Sequence, residues 1–105
     1  MGKRDQREVE SYLKRLIMHL LKWQVQPSQR TASWRASIAD SRAEPELIFD
    51  QSPSLRRLGE EALFKIYRRA VKQAGVEMGL APTAFPPDCP YTFAQLMDDD
   101  FLPQA

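Results

Sequence analysis

The sequence predicts an all-α protein: a small bundle of three main helices, then a proline-rich tail that carries one short helix. Three observations point there. Apolar residues recur at spacings of three and four over long stretches, the period of a helix with one buried face. The segment Leu16-Ile17-Met18-His19-Leu20-Leu21 is apolar around almost its whole circumference, which places it in the centre of a bundle. No stretch alternates apolar and polar residues as a half-buried strand does.

The first helix is expected from about Arg4 to Gln24. Val9, Leu13, Leu16, Leu20 and Trp23 line one face, and Tyr12, Ile17 and Leu21 widen it. Glu10 and Lys14 form a favourable i,i+4 pair on its flank. Pro27 closes it.

The second helix is expected to start between Ser28 and Thr31. Trp34, Ile38 and Ser41 line one narrow stripe of it. Ala32, Ala36, Ala39 and Ala43 occupy another side, either as exposed filler or as a surface for close helix approach. Pro45 has no backbone donor and should break or kink the helix, leaving Glu46 to Phe49 as a further turn or two.

The third helix has two N-cap candidates, Ser52 and Ser54; with Ser52 as the cap, Pro53 takes the first helical position. Leu55, Leu58, Ala62, Leu63, Ile66, Tyr67, Ala70, Val71 and Ala74 keep the period. Glu60 and Glu61 lie in its first half and Lys65, Arg68, Arg69 and Lys72 in its second, an order that suits the helix dipole. Arg57–Glu61 and Glu61–Lys65 have i,i+4 spacing, and Gly75 and Gly79 are the candidate stops. Pro82, Pro86, Pro87 and Pro90 then impose extended chain. Thr92-Phe93-Ala94-Gln95 has capping-box spacing and should open a last short helix. Phe101 and Leu102 are expected to fold back as an apolar anchor.

A chain of 105 residues fits one domain. The net charge of +1 gives no whole-molecule attraction to nucleic acid or to an anionic membrane. The charge is uneven: residues 1–42 carry nine Lys/Arg against four Asp/Glu, and residues 43–105 carry six against ten. Such a dipole favours attraction between two halves of one bundle. With Cys89 alone, no intrachain disulfide forms, which suits a reducing cytoplasm. No signal peptide is expected, and the Leu16–Leu21 segment is far shorter than the roughly 20 residues of a membrane span.

Few residues carry a chemical suggestion. His19 has no second histidine or cysteine cluster to share a metal with, and nothing fixes a nucleophile for it to activate. It is expected to be half-buried and hydrogen-bonded to a neighbouring helix. Trp23 and Trp34 flank the Pro27 turn, as core aromatics or as a patch for a partner. Arg30 and Arg35 at the same corner are either anion contacts at a helix start or partners of carboxylates on an adjacent helix. Lys65, Arg68, Arg69 and Lys72 form a basic stripe with Arg56 and Arg57 ahead of it; phosphate contact competes with a solvated, glutamate-neutralised face. Cys89 is expected to be an inert thiol. No glycine-rich phosphate loop, metal-ligand spacing or nucleophile elbow occurs, so no catalytic residue, cofactor or metal is assigned.

Four strings, LIMHLLKWQVQP from Leu16, SWRASI from Ser33, SPSLRR from Ser52 and AFPPDCPYTFAQLMDDDFLP from Ala84, resemble the Domain of Unknown Function 29 family in order and spacing. The resemblance runs from about Gly2 to Pro103. It implies an all-helical, intracellular bacterial protein, and it implies no activity. Relative to that pattern the chain starts late, lacking the usual N-terminal helices, and Pro45 sits where the family keeps helix. The late start suggests that Ile17, Met18 and Leu21 face water. With Trp23 and Trp34 they would form an interaction surface for a second copy or a helical partner. The expectation is therefore a non-catalytic interaction or assembly module in the cytoplasm. A nucleic-acid-associated regulator is the runner-up, and no membrane role is expected.

Overall fold

The computed structural model describes residues 3–103, and every element in it is helical. α1 (Lys3–Val25) ends before a single 3-10 turn at Pro27–Gln29. α2 (Ala32–Gln51), α3 (Pro53–Glu61) and α4 (Leu63–Met78) follow. A second 3-10 turn at Pro82–Ala84 leads into α5 (Phe93–Leu96).

α1 is the axis of the bundle and contacts α2, α3, α4 and α5. At 23 residues it is about 35 Å long, enough to run beside both the α2 layer and the α3–α4 layer. Its buried residues are Val9, Leu13, Leu16, Ile17, Met18, Leu20, Leu21 and Trp23. Each large aliphatic side chain buried this way contributes roughly 1.5–3 kcal/mol.

Burial corrects one expectation. Ile17, Met18 and Leu21 do not face water; their relative exposures are 0, 6 and 2%. The chain's own helices pack around α1 on several sides and cover the whole apolar circumference.

α2 corrects another. It runs unbroken from Ala32 to Gln51 with Pro45 inside. Proline's fixed φ is itself helical, so the defect is confined to one missing N–H and one carbonyl, that of Ser41, left without its i+4 donor. Pro45 is fully buried on the face that also buries Ile38 and Phe49, and that packing offsets the defect. Thr31 caps the helix, its hydroxyl accepting from the Trp34 N–H at 3.1 Å. Ala32, Ala36, Ala39 and Ala43 are all exposed, as filler would be.

The expected third helix is two helices that meet at Ala62. The turn there re-aims the chain. Gly59 of α3 sits against Leu13, Val9 and Phe49, while α4 buries Ile66, Tyr67, Ala70, Val71, Ala74 and Gly75. Ser52 is the N-cap residue, with its carbonyl accepting from Leu55 N at 2.9 Å. Gly79 ends α4 in the left-handed conformation, φ 68°, where only glycine is at ease.

The tail folds back onto the bundle and buries Phe85, Tyr91, Phe93 and Leu96. The capping box of α5 is complete: Gln95 N–H donates to Thr92 Oγ1 at 3.0 Å, and Thr92 N–H donates to Gln95 Oε1 at 2.9 Å. Phe101 and Leu102 pack on the core, with the Phe101 ring edge-on to Tyr91 at 5.9 Å.

Candidate functional site

α4 and the proline-rich segment after it enclose a groove of about 620 Å³. Tyr67, Val71 and Phe85 supply its apolar surface, and Pro82, Pro86 and Pro87 line it from the tail. Arg68, Lys72 and Thr83 are its remaining lining residues. The tail is tied to the helix at this point: Tyr67 Oη donates to the Pro86 carbonyl at 2.7 Å. Burial, with the charges of Cys89 and Asp88 adding to it, pushes the Tyr67 phenol up to about 12, so it stays protonated and keeps donating. The chain reversal that brings the tail here depends on Gly75. A Cβ at that residue would lie 2.7 Å from the Leu80 carbonyl oxygen.

Beside the groove, α4 presents an exposed ridge at successive i+4 positions: Phe64, Arg68, Lys72 and Val76. Phe64 is 58% and Val76 79% exposed. The Arg68 guanidinium lies 5.7 Å from the Phe64 ring centroid.

The basic stripe divides. Lys65 and Arg69 turn to Glu10 of α1, at 3.4 and 3.8 Å. Glu10 thus leaves its expected partner Lys14 and serves α4. The expected Glu61–Lys65 pair is absent because the turn at Ala62 breaks the i,i+4 register, whereas Arg57–Glu61 forms within α3 at 3.5 Å. Arg56 reaches Glu46 at 3.8 Å and lies over the rings of Phe49 and Phe93. Among the described residues, Arg68 and Lys72 are the α4 cations without a carboxylate, and both line the groove.

The Pro27 corner is closed by cation–π contacts, and it leaves one polar atom, Nη2 of Arg30, buried without a hydrogen-bond partner. Trp23 is buried, with the Arg30 and Arg35 guanidinium carbons 4.9 and 5.3 Å from its ring centroid. Arg30 Nε also donates to the Trp23 carbonyl at 2.8 Å. Lys22 Nζ lies 5.4 Å from the half-buried Trp34 ring. Arg30 and Arg35 therefore engage an aromatic ring, and neither makes an ion pair with a carboxylate among the described residues.

His19 is half-buried, as expected, but its hydrogen bond is to its own helix. Nδ1 donates to the Arg15 carbonyl at 2.8 Å. Burial holds its pKa below the usual value. Cys89 Sγ donates to the Tyr91 carbonyl at 3.3 Å, and burial pushes its thiol up, opposite to the shift that makes a nucleophile. Among the described residues no group of three or more His, Cys, Asp and Glu side chains is placed to hold a metal.

A second groove, of about 710 Å³, lies between the start of α1 and α4, where Arg4, Arg7, Lys14 and Arg69 face Glu8 and Glu10. Sequence reading passed over both grooves. The second joins the distant α1 and α4, and the first depends on the chain reversal after α4; only the i+4 run of Phe64, Arg68, Lys72 and Val76 hinted at either.

The family described as domain of unknown function DUF29 matches residues 1–102. The chain belongs to that family. The match spans nearly the whole sequence. Neither a curated protein nor a solved structure matches the chain. No helix among the described residues of this DUF29 protein is long and apolar enough to cross a membrane.

Proposed function

We propose that this DUF29 protein is a protein-interaction module, a single helical domain acting in the bacterial cytoplasm without catalysis of its own. Its partner is a second copy or another helical protein. One observation carries the reading: Phe64 and Val76 stand exposed on one ridge of α4 beside a preformed apolar groove. Large apolar side chains left exposed beside a groove favour docking of another surface. The interaction surface moves accordingly, from Ile17, Met18, Leu21, Trp23 and Trp34 on α1 and α2 to the outer face of α4.

Nucleic-acid binding is the weaker reading. Lys65 and Arg69 are occupied by Glu10, so the stripe is not a continuous run of free cations of the kind that phosphate tracking uses. The cationic groove of Arg4, Arg7 and Lys14 is the surface that would carry it.

Photocrosslinking tests the choice. A photoreactive phenylalanine analogue replaces Phe64 in the full chain expressed in its host cells, with the same analogue at Glu60 as control. A discrete adduct specific to position 64 is the expected outcome; twice the chain mass identifies a second copy. No adduct above the control, together with salt-sensitive binding of random duplex by the purified chain, overturns the interaction reading in favour of the nucleic-acid one.

A further inference from the structure

We infer that the groove between α4 and the proline-rich tail receives an acidic segment of a partner protein. An apolar side chain of that segment packs against Val71, Phe85 and the prolines, and its carboxylates pair with Arg68 and Lys72. The inference rests on the interaction-module reading and adds the site and the chemistry of the partner.

The groove is built before anything binds. Tyr67 fastens the tail to α4 through the Pro86 carbonyl. Phe85 is anchored in the core. Pro82, Pro86 and Pro87 have fixed φ. A wall made this way loses little conformational freedom when it is contacted, which favours binding over a wall that must first order itself. Its lining is mostly apolar with a few polar groups, the composition of a recognition cleft rather than of a solvated surface.

Charge selects the partner. Glu77 is the one carboxylate in the α4 sequence, and Lys22 of α1 holds it at 2.9 Å. Glu10 is shared by Lys65 and Arg69. Asp88 lies close enough for its charge to act on Tyr67, yet it makes no ion pair with Arg68 or Lys72 among the described residues. Two positive charges therefore border an apolar groove with no carboxylate of the described chain paired to either, and Arg68 has only the exposed Phe64 ring beside it. A segment with an apolar anchor and flanking Asp or Glu answers both. A polynucleotide does not: two cations are few for a phosphate run, and the groove's aromatics are a buried Phe85 and a committed Tyr67 rather than open stacking platforms.

The test is selection of random peptides displayed on phage against the full chain. Recovered peptides are then measured on the unaltered protein, on R68E/K72E, on T83W and on the control K14E, each checked for fold by circular dichroism. All four positions are exposed or peripheral to the core, so folded variants are expected. Recovered peptides should combine Leu, Phe or Trp with Asp or Glu. Their affinity should fall about tenfold or more in R68E/K72E, fall in T83W through occlusion of the groove, hold in K14E, and weaken as salt rises. Recovery of peptides without carboxylates, or of acidic peptides that bind both groove variants unchanged, overturns the groove while leaving an interaction module that works through another face. Recovery of no peptide also overturns it, and the position-64 crosslink then decides the broader reading separately. Displacement of a bound peptide by duplex nucleic acid reassigns the groove and overturns the proposal.

Discussion

Arg42 Nε of α2 donates to the carbonyl oxygen of Leu96, the last residue of α5, at 2.6 Å across 54 positions of sequence. The same guanidinium reaches the Asp99 carbonyl through Nη1 at 3.3 Å and the Phe101 carbonyl through Nη2 at 3.1 Å. A helix end leaves carbonyls without donors, and a planar fork of N–H groups suits several of them at once. Burial pulls the Arg42 pKa down, and the nearby charges of Asp99, Asp98 and Asp100 oppose that pull. Those consecutive aspartates thus offset part of the cost of burying the cation.

Arg42→Lys keeps the charge and loses the fork. Replacing three directed donors with one mobile ammonium should cost roughly 2–4 kcal/mol, since hydrogen bonds to charged groups contribute more than neutral ones. Urea denaturation gives the loss. Hydrogen exchange gives its place: amides between Phe93 and Phe101 should exchange faster than the middle of α1. Unchanged protection in the tail would show that the clamp does not hold it.

Ser41 lies one turn before Pro45, and its hydroxyl is buried without a hydrogen-bond partner. An unsatisfied buried hydroxyl costs about 1–3 kcal/mol. Ser41→Ala removes it, leaves a better helix former, and should raise stability by about 1 kcal/mol, or about 4–8 °C in Tm for a domain of this size. A lowered Tm on calorimetry would mean that the hydroxyl has a solvent partner.

Three glycines should respond differently to alanine. At Gly59 a Cβ meets Leu13 and Val9 at 3.4 and 3.5 Å. That is ordinary contact, and the gain in helix propensity makes Gly59→Ala neutral or stabilising by up to about 1 kcal/mol. At Gly75 the Cβ meets a backbone oxygen at 2.7 Å, so Gly75→Ala should lose about 1–3 kcal/mol through overpacking. Gly79→Ala places a side chain at φ 68° and should lose about 1 kcal/mol. Equal losses at Gly59 and Gly75 in matched denaturation curves would contradict the packing described.

The elements with local causes were legible in the sequence. The capping box at Thr92 and Gln95 and the all-round apolar run in α1 follow from residues a few positions apart, and the structure has both. What escaped depends on distant partners. Arg42 looks like one more helical arginine until Leu96 is brought beside it. Pro45 looks like a breaker until its face proves buried with Ile38 and Phe49. Glu10 has a good local partner in Lys14, and tertiary packing gives it Lys65 and Arg69 instead. One groove lies between α1 and α4, far apart in the chain, and the other depends on how the chain reverses after Gly75, so no spacing announces either.

His19 should leave a signature in the pH dependence of stability. Its pKa in the folded protein lies below 6.5, chiefly because burial disfavours the imidazolium, with the charges of Lys22 and Arg15 pushing the same way. The hydrogen bond to the Arg15 carbonyl and the charge of Glu77 oppose that shift without reversing it. The unfolded chain then binds the proton more readily than the folded one, so stability is full above 6.5 and falls as pH drops from 6.5 through the folded value. Glu77, held below 4.5 by its bonds from Lys22 and Gln73, adds stability that is present above 4.5 and is lost only at lower pH. The two windows barely overlap. Between pH 7 and about pH 5.5 the decline belongs to histidine. Tm should fall across that interval in the unaltered protein and stay nearly level in His19→Gln, which keeps a donor and cannot titrate. Parallel declines in the two proteins would assign the slope to other groups.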